Sequence, residues 1–422
     1  GTVLAIVFID LLGFGVIIPI LPFYVRSFGV SDVFIGLLAA SYSLTQFVFA
    51  PLLGRISDER GRRPVLMLSV AGSALAWVVF GLGEQVELAL GTAGALATLF
   101  AARMLAGAMG GNIATAQAYI TDVTPPEDRA NALGLIGATF GLGFVFGPAL
   151  GAVVASDPVV RAAGDLLPGF VPVSAFSLPS FLAAGLSLLA FVAAALFLPE
   201  PNRTRPTRRG GGLITQFRTA LADANLRPLV GVFLVVSVAF SGVQVAFIPF
   251  VADIYGYDEA QAGLLLTYIG VLGVINQGVL VRILSRIYAD TRLAVGGATL
   301  LLASLVALPF APVLGRTLLP GLLGASPELL ALLVVLAVLS SGNGLLSVGT
   351  ASMVSTAASE ESQRSAFGVT QGAGSLGRTV GPPVMTGIYV LVYWAPFLLG
   401  AVLILGVVVA LSALAARSEV LA

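Results

Sequence analysis

The chain has 422 residues, of which 58% are hydrophobic and only 10% charged, and its 21 basic and 21 acidic side chains cancel. Water-soluble domains carry about a quarter charged residues, so a soluble core does not explain this composition and a lipid solvent does. Cysteine, histidine and lysine are absent, which excludes disulfides, thiolate chemistry, the commonest zinc and haem ligands and a Walker A loop with its lysine.

No cluster of nucleophile, base and metal ligands appears, so neither an enzymatic activity nor a cofactor is expected, and nothing points to nucleic acid. Apolar stretches of about 20 residues predict twelve spans: 2–24, 34–54, 64–83, 92–118, 130–154, 176–198, 228–252, 261–284, 292–312, 328–355, 365–392 and 394–416. The first has the position of a signal peptide. It lacks a small-residue cleavage site and ends on Pro19 and Pro22, so it is read as span one.

Arginine sets the orientation. With the even-numbered turns and the C-terminus on one side, that side holds 16 arginines, the opposite loops hold three (Arg26, Arg161, Arg316), and Arg103 and Arg378 are intramembrane. The positive-inside rule places the rich side and both termini in the cytoplasm, in a multi-pass protein of the inner cell membrane.

Span one carries Phe8-Ile9-Asp10-Leu11-Leu12-Gly13-Phe14-Gly15. Asp10 lies 12 residues before Pro22, about 18 Å along a helix and so near mid-membrane. Span two ends in Gln46-Phe47-Val48-Phe49-Ala50-Pro51-Leu52-Leu53-Gly54 and leads into the loop Gly54-Arg55-Ile56-Ser57-Asp58-Glu59-Arg60-Gly61-Arg62-Arg63-Pro64. Gly54 and Gly61 permit tight turns at the helix ends. Asp58 can cap the next helix or pair with Arg62. The plainer alternative is an ordinary charged turn obeying the positive-inside rule.

Span four carries Arg103-Met104-Leu105-Ala106-Gly107, about ten residues in. A charge inside a span is costly unless paired or hydrated. Asp10 and Arg103 are therefore candidates for a carboxylate whose affinity for a proton alternates with its electrostatic partner; a fixed structural ion pair is the alternative. In span five, Gly143, Gly147 and Gly151 are four apart and bare one helix face, and Pro148 removes a backbone hydrogen bond. This face is either static packing or a domain interface that opens and closes.

The stretch 199–227 is polar, with Pro199, Pro201, Arg203, Arg205, Pro206, Arg208, Arg209 and Gly210-Gly211-Gly212. It reads as a cytoplasmic linker with a surface helix near 213–223, between six-helix bundles at 1–198 and 228–422. The bundles repeat. Offset by 234 residues, Gly110 meets Gly344, Gly134 meets Gly368, Gly143 meets Gly377, and Gly147-Pro148 meets Gly381-Pro382. The second-half loop, Val281-Arg282-Ile283-Leu284-Ser285-Arg286, keeps the basic residues and loses the aspartate.

Polar and aromatic candidates for a substrate cavity are Phe14, Tyr42, Gln46, Asn112, Phe240, Gln244, Asn343 and Arg378. Gln117, Tyr268, Asn276, Gln277 and Gln371 are further polar or aromatic positions within spans. Three roles are open to Arg378: holding an anionic group, pairing with Asp10, or receiving carbonyls freed by Pro382-Pro383. The sequence Gly372-Ala373-Gly374-Ser375-Leu376-Gly377 fits a dinucleotide fingerprint by letter, but it lies inside an apolar span with no preceding strand. Asn202-Arg203-Thr204 fits a glycosylation acceptor but falls on the cytoplasmic side.

Taken together, the loop 54–64, span one, the end of span two, Arg103-x-x-x-Gly107 and Gly143-Phe144-Val145-Phe146-Gly147-Pro148-Ala149-Leu150-Gly151 resemble the major facilitator superfamily, within it the twelve-helix drug:proton antiporters that include tetracycline exporters. The resemblance covers the whole chain. It implies an all-α membrane fold of two six-helix bundles, a monomer, and spans one and four facing a central cavity. It further implies export of small apolar or amphiphilic compounds in exchange for protons by alternating access, with the Asp58–Arg62 loop as gate. It breaks at spans three and nine, where tetracycline exporters carry acids and this chain has Leu75-Ala76-Trp77 and Leu300-Leu301-Leu302. A lipid or sugar exporter, a proton-coupled nutrient symporter, and a non-transporting sensor or scaffold are the rival readings.

Overall fold

A computed structural model describes residues 2–110, 112–125, 128–201, 221–222, 226–318, 326–357 and 363–421. The helices are α1 (Thr2–Ile17), α2 (Leu21–Ser27), α3 (Val33–Arg60), α4 (Arg62–Gly81), α5 (Gly83–Met109), α6 (Asn112–Val123), α7 (Arg129–Ala155), α8 (Asp157–Leu166) and α9 (Ser177–Phe197). They continue with α10 (Leu226–Tyr255), α11 (Glu259–Ile275), α12 (Arg282–Leu284), α13 (Asp290–Ala307), α14 (Ala311–Leu318), α15 (Pro327–Ala357), α16 (Gln363–Leu391) and α17 (Ala395–Leu421). No strand occurs among the described residues. Helix is what an apolar solvent demands, because each backbone group must be satisfied within its own segment.

Eleven helical stretches among the described residues are long and apolar enough to cross a membrane. The expected span 365–392 is the 29-residue α16, which is not one of the eleven; Gln371, Ser375 and Arg378 make it more polar than the rest. The other differences are interruptions. Span one breaks at Ile18-Pro19-Ile20, where Pro19 offers no N–H. The expected span 92–118 is two helices, α5 and α6, with Gly110 between them, and α5 itself leaves helical geometry at Gly91, φ 74°. Span eight ends in a π-helical turn, Asn276–Val281, and span nine narrows to a 3₁₀ turn at Leu308–Phe310, around Pro309. Gly54 is a correction: α3 runs on to Arg60, so Gly54 is a helical residue with open space beside it and makes no turn.

The chain forms two compact units, residues 1–209 with 247–270, and 210–246 with 271–422. The segment 247–270, expected in the second bundle, thus groups with the first unit. Residues 202–220 and 223–225 of the expected linker, including Arg203, Arg205, Arg208, Arg209, the Gly210–Gly212 triplet and the Asn202-Arg203-Thr204 acceptor, lie outside the described residues.

In the first unit, Val3, Ile6, Val7 and Leu11 share a face of α1 and pack against Leu66 and Val70 of α4, Tyr119 and Ile120 of α6, Ile136 of α7, and Ala190 and Ala194 of α9. The glycine face of α7 lies on α1. A Cβ on Gly147 would come 2.6 Å from the Gly15 Cα, and one on Gly143 would come 2.8 Å from the Leu11 Cβ. Such closeness lets dispersion and weak backbone contacts hold helices together where lipid removes the hydrophobic drive. Another side of α7 meets α11, where the Pro148 carbonyl and Ala152 adjoin Gly263, and Phe144 and Val145 adjoin Gly270.

The second unit repeats this packing. A Cβ on Gly377 of α16 would come 2.6 Å from the Ser237 Cβ of α10, and Gly381 lies against Val238 and Ser241. The 234-residue offset between glycines therefore pairs with an offset of 226 between their partners, Leu11 with Ser237 and Gly15 with Ser241 (237 − 11 and 241 − 15). In the same unit α13 and α15 cross closely at Gly297, Gly342 and Gly349.

Candidate functional site

Two clusters in the first unit gather many of the expected residues. The first is the junction between α3 and α4. Gly61 has φ 119° and ψ 154°, a left-handed backbone that favours glycine. A Cβ there would also stand 2.9 Å from the Glu200 carboxylate. That carboxylate accepts from the backbone N–H of Arg62 at 2.7 Å and of Arg63 at 2.9 Å. It satisfies two donors that the first turn of α4 leaves orphaned, and it lies at the positive end of the helix dipole.

The Arg62 guanidinium is mostly buried and joins three elements. Nη1 pairs with Asp58 at 2.6 Å and donates to the Ser57 hydroxyl at 3.1 Å; Nε pairs with Asp122, at the end of α6, at 2.9 Å. Arg63 donates from Nη2 to the Ala195 carbonyl at 2.7 Å, and the Tyr119 hydroxyl donates to the Pro199 carbonyl at 2.9 Å. Asp58 and Arg62 are thus paired as the loop spacing suggested. Asp122 and Glu200 were missed. Their signal was a carboxylate at the end of span four and another just after span six, on the same side as the loop.

The second cluster lies along the spans. Asp10 is half-buried on α1, and the Ser187 hydroxyl of α9 donates to its Oδ1 at 3.4 Å. Phe14, one turn further along α1, stands 5.3 Å from Tyr42 of α3 and edge-on to Phe144 of α7 at 6.3 Å. Arg103 of α5 is 6% exposed. Its guanidinium carbon lies 4.7 Å from the Tyr42 ring centre and 5.9 Å from that of Phe14. Gln46 Nε2 lies 3.5 Å from the Tyr42 hydroxyl and 3.4 Å from the Gly110 carbonyl. The structure therefore brings Phe14, Tyr42, Gln46 and Arg103 together, with Arg103 set against aromatic faces, and Asp10 lies one turn before Phe14 on α1, against Ser187. The side chain of Asn112 lies outside the described residues.

The remaining candidates belong to the second unit. Phe240 is half-buried and Gln244 exposed on α10; Asn343 is half-buried on α15. Arg378 of α16 donates from Nη2 to Ser375, one turn back, at 2.9 Å. Asn276, one of the further polar positions within spans, donates to the Ser340 hydroxyl at 3.3 Å in a buried setting.

A third cluster was not expected at all. Arg26, at the end of α2, pairs with Asp32 at 2.6 Å and with Asp253 of α10 at 2.7 Å. It sits beside the start of α3, the opposite end from the Arg62 cluster.

The family model of the Major Facilitator Superfamily matches residues 3–319, which include both the Arg62 junction and the Asp10–Arg103 cluster. The chain belongs to the Major Facilitator Superfamily. It is similar to the class E tetracycline resistance protein of Escherichia coli, 30% identical over 282 residues, 65% of this chain and 63% of that protein. It is 27% identical over 287 residues to multidrug resistance protein 1 of Bacillus subtilis (strain 168), covering 68% and 67%. The chain thus spans somewhat less than two thirds of the tetracycline resistance protein's length. In fold it matches the crystal structure of the human organic anion transporter MFSD10, with TM-score 0.67 and 23% identity over 97% of this chain and 98% of that one. These superfamily relatives are transporters, not enzymes, and like them this chain is a multi-pass membrane protein built of apolar helices.

Proposed function

We propose that the chain is a secondary active transporter that exports small apolar or amphiphilic compounds in exchange for protons. It works by alternating access between the halves 1–198 and 228–422, as a monomer in the inner membrane with both termini in the cytoplasm. The observation that carries this reading is Asp10. It is the one acid near the middle of a span, half-buried, with Ser187 donating to it and the Arg103 cluster one helical turn away. A carboxylate so placed holds a proton or releases it according to how its surroundings change, which is the element proton coupling needs. The names of the relatives, tetracycline and multidrug resistance proteins, agree with export. Asp58, Arg62 and Asp122 are the cytoplasmic latch in this reading, tying α3, α4 and α6 in one state of the cycle.

The test is a panel of dyes and antibiotics on the full chain in liposomes and in detergent. Flux driven by an imposed pH gradient, with proton release when the transported dye binds the detergent-solubilised chain, supports antiport. Proton uptake on binding means symport and overturns the exchange reading. Absence of flux for the whole panel, with pH gradients of both signs, overturns transport.

A further inference from the structure

The Arg103 guanidinium is a buried charge with little to compensate it. It is 6% exposed and its Nε has no hydrogen-bond partner. Among the described residues no carboxylate lies within ion-pair distance of it. Its ring contacts are the faces of Tyr42 and Phe14. A ring face attracts a cation but offers no acceptor for its five N–H donors. An arginine buried in this way is costly to keep, and the fork of a guanidinium is shaped to receive a planar anionic group through two parallel bonds.

From this we infer that Arg103, with Tyr42 and Phe14, forms the binding site for the charged end of an amphiphilic organic anion, a monovalent aromatic carboxylate. One guanidinium without a second cation beside it matches a single negative charge. The rings of Tyr42, Phe14 and Phe144, the latter two edge-on at 6.3 Å, offer apolar surface to a flat body. Gln46, 3.5 Å from the Tyr42 hydroxyl, adds an amide beside the rings. The inference rests on the transporter reading above and gives it a substrate class.

The probes are 2-naphthoate, the neutral 2-naphthalenemethanol and the cationic trimethyl(2-naphthylmethyl)ammonium, titrated onto the full-length chain in detergent with no gradient. The wild-type comparison needs no variant: naphthoate is expected to bind saturably and about 10-fold more tightly than either analogue, as an electrostatic contact in a poorly hydrated site allows. Arg103→Gln should remove that advantage and leave the three probes level, whereas Tyr42→Leu should weaken naphthoate and the alcohol by similar factors. If the ammonium compound binds as well as naphthoate, or Arg103→Gln holds naphthoate unchanged, the inference is wrong. Should Arg103→Gln fail to fold, the wild-type ranking and Tyr42→Leu decide the matter. Naphthoate binding without gradient-driven flux would sink the transport reading alone; flux of other dyes without naphthoate binding would sink this inference alone.

Discussion

Arg26 and Asp253 are joined by a two-pronged ion pair across 227 positions of sequence: Nη1 donates to Oδ1 at 2.7 Å and Nη2 to Oδ2 at 2.9 Å. The same guanidinium grips Asp32 through Nε and Nη2 at 2.8 and 2.6 Å. One arginine therefore clasps the end of α2, the start of α3 and the far end of α10. Isolated exposed pairs contribute little, but bidentate geometry and a shared cation raise the value. A double-mutant cycle with Arg26→Gln and Asp253→Asn, read by thermal unfolding in detergent, should give a coupling of about 0.5–1.5 kcal/mol. A cycle that closes at zero would mean the pair holds nothing. The chain has no cysteine, so cysteines at 26 and 253 joined by a short thiol cross-linker report on it cleanly. Flux should stop on cross-linking if transport requires these segments to part.

Gly61 and Gly54 are both written into the same loop motif, yet they should respond oppositely to alanine. At Gly61 the new Cβ meets a left-handed backbone and the Glu200 carboxylate at 2.9 Å, so Gly61→Ala should cost about 1–3 kcal/mol. At Gly54 the space is open and the backbone helical, so Gly54→Ala should be neutral or stabilising by up to about 1 kcal/mol. Comparing their unfolding temperatures in one detergent checks both; equal losses would mean that the turn is not where the strain lies.

Arg62 should matter more than either of its partners. Asp58 is 44% exposed at its side chain and Asp122 22%, against 10% for Arg62. Removing one acid leaves the cation a second partner, whereas removing the cation leaves two carboxylates facing each other. Asp58→Ala should therefore cost about 1 kcal/mol or less of stability and Arg62→Ala about 3 kcal/mol. If the cluster is the proposed latch, Asp58→Ala should also slow flux sharply while insertion stays normal. Full activity in that variant would remove the latch from the account.

Gly147 and Gly381 occupy matching places in the two units, each laid against the first helix of its half. Gly147→Val and Gly381→Val should each lower stability by about 1–3 kcal/mol through overpacking of backbone on backbone, with smaller effects at Gly231 or Gly387, where nothing lies within 4 Å. Thermal unfolding of the four variants tests whether the sequence repeat is also a packing repeat.

Much of this was legible in the order of residues. Apolar stretches located the helices because lipid leaves the backbone no alternative partner, and Gly61-Arg62 with Asp58 announced a turn and its ion pair. What escaped has physical reasons too. The break between α5 and α6 falls at Gly110-Gly111-Asn112, a short polar interruption that a hydropathy window of about 20 residues averages away. Arg26 counted toward orientation but its partner Asp253 is set by tertiary packing. Glu200 looked like part of a polar linker, and nothing local says that its carboxylate caps a helix begun 138 positions earlier. Arg103 lies against Tyr42 and Phe14, an arrangement that depends on three helices crossing and that no local pattern announces.

The account depends on Asp10 carrying the proton, and one comparison addresses it directly. Wild type and Asp10→Asn are reconstituted in liposomes, and flux is followed both with a pH gradient and as substrate exchange with none. The expectation is that Asp10→Asn loses gradient-driven flux yet still exchanges substrate across the membrane. Undiminished gradient-driven transport by Asp10→Asn would contradict the account.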